Sequence, residues 1–232
     1  FDYGYAPPSD GRPLAVHAEL APCPWNPTHK LVHVGLKGKV VPPSELGPRN
    51  LVFLVDVSGS MESEDKLPLL RAGLRMLVAD MKAADRIAIV AYAGASGLVL
   101  PPTSGEHKQT ILRALDNLAA GGSTNGGAGI SLAYAQARKN FVQGGVNRVV
   151  LASDGDFNVG VTDHDELVNL IEQQRKSGVY LSVLGFGRGN LNDHTMEQLA
   201  DKGNGNYAYI DSEREATKVL VTEAAGTLVA VA

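Results

Sequence analysis

The chain holds one cysteine, Cys23, among 232 residues. No internal disulfide can form, and a zinc site built on paired cysteines is excluded. No apolar run approaches the roughly 18 residues of a membrane-spanning helix. Blocks of about five or six like charges are also absent. The net charge is −4 and the isoelectric point is near 5.9. That balance argues against a nucleic-acid or anionic-membrane partner, which would favour a basic patch. The acidic excess is too small to imply a basic ligand. The six histidines, at positions 17, 29, 33, 107, 164 and 194, show no metal-ligand spacing. They are read as structural or exposed. No Gly-x-Ser-x-Gly elbow occurs, and no Cys/His pair suggests a nucleophile. The opening Phe1-Asp2-Tyr3-Gly4-Tyr5 does not resemble a signal peptide. The chain starts and stops abruptly, so it is expected to belong to a longer protein, and a missing targeting segment carries little weight.

What is present is ordinary globular composition, with 44% hydrophobic and 20% charged residues, enough for a core that needs no cross-link. The length suits one α/β domain of about 180–200 residues with a small appendage. Residues 1–49 read as a β-rich extension and linker, and residues 50–232 as the main domain. Within the extension, 14–20 and 31–40 alternate apolar residues at strand period, separated by a proline-bearing segment. Trp25, between prolines, is expected to pack the extension onto the main domain.

From residue 50 the pattern becomes βα alternation. The continuous apolar run at 51–55 reads as a strand buried on both faces, and 148–152 reads as another buried strand. Further strands are expected at 86–92, 179–185 and 206–210, with a short hairpin partner at 97–100. Helices are expected at 66–82, 106–119, 127–142, 164–177, 193–201 and 212–226. This alternation predicts a doubly wound, mostly parallel sheet with helices on both faces. In such sheets ligands sit at the carboxyl ends of the strands.

Those ends carry oxygen-bearing side chains. Asp56-Val57-Ser58-Gly59-Ser60 follows the first apolar run, and Ser153-Asp154-Gly155 follows the second. Between them lies Gly121-Gly122-Ser123-Thr124-Asn125-Gly126-Gly127, in a loop entering a helix. Mg²⁺ prefers oxygen ligands at about 2.1 Å in octahedral geometry. Asp56, Ser58, Ser60, Thr124 and Asp154 could supply them and leave a position for water or a ligand. Alternation is expected to point Asp56, Ser58 and Ser60 to one side of an extended loop. Gly59 is expected to allow a tight turn between them.

The set Asp56-x-Ser58-x-Ser60, Thr124 and Asp154-Gly155 resembles the metal-ion-dependent adhesion site of von Willebrand factor A-type (VWA) domains, also called integrin I-type domains. The resemblance spans roughly residues 50–228. It implies that Ser58 and Ser60 ligate Mg²⁺ directly, with Mn²⁺ or Ca²⁺ as possible substitutes. It also implies that Thr124 and Asp154 adjust with the bound state, and that Asp56 holds the ligand set together. An Asp or Glu of a protein partner would complete the coordination. Met61, Glu62, Ser123, Asn125, Asp156 and Asn158 are expected near that partner. Ligand binding in this family can couple to a shift of the last helix, here near 212–226. The extension is similar to that of bacterial VWA-containing envelope or secreted proteins, which implies an extracytoplasmic location.

Other readings compete. A lone Asp-x-Ser-x-Ser is more often a cap or turn than a metal site. Asp154-x-Asp156 after an apolar strand resembles the nucleophile and acid of haloacid dehalogenase-like phosphohydrolases, the best enzyme alternative. The same segment fails as a calcium loop, because Val159 stands where that loop needs glycine. Gly185–Gly189 lacks the last glycine of a dinucleotide fingerprint and reads as a turn. Glu62, Glu64 and Asp65 read as a solvated acidic loop. A metal-free VWA scaffold is the remaining alternative.

Overall fold

The alternating N-terminal segments form an antiparallel pair, β1 (Leu14–Pro22) and β2 (Lys30–Gly38). This computed structural model describes residues 3–9, 11–39, 47–93, 95–121, 126–155, 164–187 and 193–222. Its two compact units fall within residues 1–45 and 46–229. In the first unit, Val16 pairs with Leu36, Ala18 with Val34 and Leu20 with Val32. Opposed residues share a face, and the large apolar residues of this one are exposed. On the other face Tyr5 stacks on His17 with ring centroids 4.8 Å apart. The turn between the strands is shaped by Asn26, whose Oδ1 accepts from Thr28 N at 3.1 Å. Trp25 rides on this turn and is 78% exposed.

The second unit continues as β3 (Arg49–Asp56), α1 (Leu67–Asp80), β4 (Arg86–Ala93), β5 (Ala95–Ser104) and α2 (Lys108–Asp116). Then follow α3 (Gly126–Lys139), β6 (Val146–Ser153), α4 (His164–Lys176), β7 (Tyr180–Phe186), α5 (Asp193–Lys202), β8 (Tyr207–Ile210) and α6 (Glu213–Thr217). The described strands form one six-stranded sheet in the order β5-β4-β3-β6-β7-β8. Only β5 runs antiparallel to its neighbour; the other pairings are parallel. β5 is longer than the expected 97–100 because Pro101 and Pro102 do not end it. An edge strand needs no ladder donors on its outer side, so proline is tolerated there. The last helix is interrupted: α6 gives way to a π-helical turn over Lys218–Thr222. Residues 223–226 of the expected helix lie outside the described residues.

Strand period explains how the sheet is covered. Leu51, Phe53 and Val55 of β3 join the core formed with α1, α2 and α6. Val52 and Leu54 join the opposite core, formed with α3, α4 and α5. β3 is therefore buried along its whole length. Helix α1 buries Leu67, Leu70, Leu74, Leu77 and Val78, a helical stripe. Pro68 is accommodated in its first turn, where no backbone donor is lost. At the amino end of the sheet, Arg49 forks onto Asp85, with Nη2 at 2.7 Å and Nε at 3.1 Å from Oδ2. No helix among the described residues is long and apolar enough to cross a membrane.

The central pair β3 and β6 sets the place of the site. The chain leaves β3 for α1 on one face, and it leaves β6 for α4 on the other. Adjacent parallel strands whose connections diverge leave a crevice at their carboxyl ends.

Candidate functional site

Asp56 is the last residue of β3 and is fully buried. Its Oδ1 accepts from the backbone N–H of Ser58 at 2.9 Å. Its Oδ2 accepts from Ser153 Oγ at 3.1 Å and from Tyr92 Oη at 3.2 Å. Tyr92 stands beside Asp56 because β4 pairs with β3 in that register. Burial raises the Asp56 carboxyl above the ordinary carboxylate range. Hydrogen bonds from Ser58 and Ser153 oppose the rise, and the charge of Asp154 adds to it. The Tyr92 hydroxyl is pushed well above its usual value by burial and then by the Asp56 charge, so it stays a donor.

Ser58 is buried and extended, with φ −62° and ψ 162°. Ser60 lies in a 3-10 turn over Gly59–Glu62. The expected extended loop therefore gives way after Ser58 to about one turn of 3-10 helix, closed by Met61 N donating to Ser58 O at 3.0 Å. The two serine hydroxyls still converge, with their oxygens 3.0 Å apart. Gly59 does not serve the turn as expected. Its φ is not positive, and a Cβ there would meet nothing within 4 Å. Met61 is also a correction. It is fully buried in the core and is not available to a partner. Glu62 is exposed as expected.

Asp154 follows β6 and is 7% exposed. Its Oδ2 lies 2.8 Å from Lys66 Nζ, which also donates to Ser60 O at 2.9 Å. A closed circuit results. Ser58 binds Asp56, Asp56 binds Ser153, and Asp154 follows Ser153 in the chain. Lys66 then joins Asp154 to Ser60, and Ser60 returns to Ser58. Asp56, Ser58, Ser60 and Asp154 are thus gathered at one edge of the sheet.

Thr124, Ser123, Asn125, Asp156 and Asn158 lie outside the described residues. The loop that carries Thr124 is anchored at its near end, where Gly121 N donates to Val57 O at 2.7 Å. After the loop, α3 approaches closely: a Cβ on Gly129 would stand 3.1 Å from Leu54 Cδ1 and from Tyr92 Cβ.

The donor set suits a hard cation. Two oxygen ligands about 2.1 Å from one ion, at right angles, stand about 3.0 Å apart. The serine hydroxyls have that separation, which is equally that of a hydrogen bond. A buried carboxyl with a second carboxylate nearby is also an arrangement that a cation relieves. Sequence reasoning did not find Tyr92, Ser153 or Lys66. The first is a site neighbour only through strand register, and the third only through the path of its side chain. Ser153 alone had a local signal, as the hydroxyl residue next to Asp154.

Residues 50–223 match the family model described as von Willebrand factor type A domain, and residues 1–33 match one described as von Willebrand factor. Over 226 residues, 97% of this chain, the sequence is 50% identical to the uncharacterized protein YfbK of Escherichia coli (strain K12). The match spans 39% of that relative's length. Among solved structures, the conserved hypothetical protein BatB from Bacteroides thetaiotaomicron superposes with a TM-score of 0.65 at 19% identity. That similarity covers 77% of this chain and 98% of BatB. An aerotolerance-related membrane protein from Bacteroides fragilis NCTC 9343 gives a TM-score of 0.64 at 23% identity, covering 75% of this chain and 98% of its own.

Proposed function

The chain belongs to the von Willebrand factor type A family, and from that premise we propose that it is a divalent-cation-dependent protein-binding module. Proteins of this family generally serve as adhesion or scaffold modules, and protein partners are their usual ligands. The observation that carries the cation reading is the pair of hydroxyls on Ser58 and Ser60, 3.0 Å apart beside the buried Asp56. Ser58, Ser60, Asp56, Asp154 and Thr124 would hold Mg²⁺, with Mn²⁺ or Ca²⁺ able to substitute. When bound, the ion supplies a positive centre that attracts an Asp or Glu of the partner.

The chain's own residues prepare that site. Ser153 and Tyr92 fix one carboxylate oxygen of Asp56, and the Ser58 N–H fixes the other. A carboxylate held from both sides loses little freedom when a ligand arrives. The two serine ligands are neutral and leave the ion electrophilic. No catalytic residue belongs to this reading. The membrane-associated Bacteroides fragilis neighbour supports an extracytoplasmic, envelope-associated setting.

A second reading, the metal-free scaffold, has one observation in its favour. Lys66 Nζ already places a positive charge on Asp154. Electron paramagnetic resonance of Mn²⁺ separates the two readings. The cation module binds one Mn²⁺ per chain, releases it to excess Mg²⁺, and changes the bound spectrum when glutarate is added as a carboxylate probe. The Asp56→Ala/Ser58→Ala variant leaves the Mn²⁺ signal free. A full free-ion signal with the unmutated chain at millimolar Mn²⁺ rejects the cation reading and favours the scaffold.

A further inference from the structure

Lys66 occupies the N-cap of α1, with φ −123° and ψ −108°, and makes no side-chain cap. Ser, Thr, Asp and Asn are the favoured residues there, and a cation at the positive end of a helix is disfavoured. Something other than helix stability therefore accounts for a lysine at this position. Its side chain leaves the helix and crosses the top of the sheet. The stem lies on Gly187, just past β7, and the ammonium ends at Asp154, just past β6.

Gly187 makes room for this path. A Cβ at Gly187 would overlap Lys66 Cε and stand 2.9 Å from Cγ and 3.1 Å from Cδ. Gly187 has φ +85°, where other residues are strained. Its carbonyl is held by Tyr209 Oη at 2.9 Å. The track is thus a built feature, with a bare backbone surface beneath the stem and two acceptors at its end, Asp154 Oδ2 and Ser60 O.

We infer that Lys66 is a tethered cation that neutralises Asp154 when the site holds no metal, and that it must withdraw for a divalent ion to enter. The inference rests on the cation reading above. An ion ligated by Asp154 Oδ2 would share that oxygen with an ammonium now 2.8 Å away, while the Ser60 carbonyl that Lys66 also contacts is not the Ser60 hydroxyl of the site. Two cations drawn to one carboxylate oxygen repel each other, so metal entry at Oδ2 and the Lys66 contact oppose each other. Lys66 therefore sets the metal concentration at which the site fills, and through it the concentration at which an acidic partner is captured. The side chain is about one-fifth exposed, so solvent is at hand to receive the displaced ammonium.

Mg²⁺ calorimetry on the unmutated chain, Lys66→Met and Lys66→Arg tests this. Lys66→Met is expected to bind Mg²⁺ about tenfold more tightly, and Lys66→Arg to stay within about threefold of the unmutated chain. Equal affinity in the unmutated chain and Lys66→Met overturns the latch and leaves the cation reading intact. No binding in any of the three overturns the cation reading, and the latch with it. A second measurement needs no variant. Reductive methylation read by mass spectrometry should find Lys66 slow in chelator and, at saturating Mg²⁺, as fast as the exposed Lys176. Lys66 still protected at saturating Mg²⁺ contradicts the withdrawal.

Discussion

Ser153 Oγ donates to Asp56 Oδ2 at 3.1 Å, and this bond ties the carboxyl end of β6 to that of β3. Tyr92 Oη reaches the same oxygen from β4 at 3.2 Å. Three adjacent strands therefore converge on one buried carboxylate. The Tyr92→Phe variant leaves the ring in place and removes one donor. It should lose about 1 kcal/mol of stability in urea denaturation. Tyr92→Phe/Ser153→Ala should lose more than the sum of the two single changes, because the second leaves Oδ2 without either side-chain donor. Strict additivity would show that the two donors act independently.

Gly59 provides a converse prediction. It lies between the two serines of the candidate site, yet its φ is not positive and a Cβ there would meet nothing within 4 Å. Gly59→Ala should change stability by no more than about 0.5 kcal/mol and leave Mg²⁺ binding intact. A loss of several kcal/mol in thermal unfolding would mean that the turn needs glycine after all.

The pair at the other end of the sheet contributes to acid stability. Burial raises the Asp85 carboxyl, but bonds from Arg49, the Lys82 N–H and the Arg49 N–H outweigh it and hold it below the ordinary range. A carboxyl lowered on folding contributes stability that is full above its unfolded value of about 3.9 and is lost as pH falls through the folded value. Asp85→Asn should cost about 3 kcal/mol at pH 7, because the buried Arg49 loses its close carboxylate and keeps only the longer contacts to the exposed Asp80. Below pH 4 the gap between variant and unmutated chain should narrow. Urea denaturation at pH 7 and pH 3 measures both, and a gap independent of pH would contradict the assignment.

The sheet was legible in the sequence because β3 and β6 each contain a short apolar run and α1 carries a helical stripe, patterns that burial on two faces or one imposes. Asp56, Ser58, Ser60 and Asp154 were legible because they follow such runs, and Thr124 because of the glycine-rich segment around it. The 3-10 turn at Ser60 was not, since alternation of serines around a glycine is equally compatible with an extended loop. Tyr92 was hidden among the apolar residues of β4, and only the Asp56–Tyr92 register gives its hydroxyl a purpose. Lys66 was hidden for a different reason. A long side chain at the start of a helix has many directions open to it, and the bare backbone of Gly187 and the acceptors on Asp154 and Ser60 together select this one. Met61 was misread for its place in the motif, when its apolar side chain belongs to the core beneath it.

The central claim is that the edge of the sheet at Asp56, Ser58, Ser60 and Asp154 holds one divalent cation. Calorimetric titration of Mg²⁺ into the unmutated chain and into Asp56→Ala/Ser58→Ala tests it most directly. The account predicts one ion per chain in the first and none in the second. No heat of binding to the unmutated chain at millimolar Mg²⁺, or equal binding to both proteins, would contradict it.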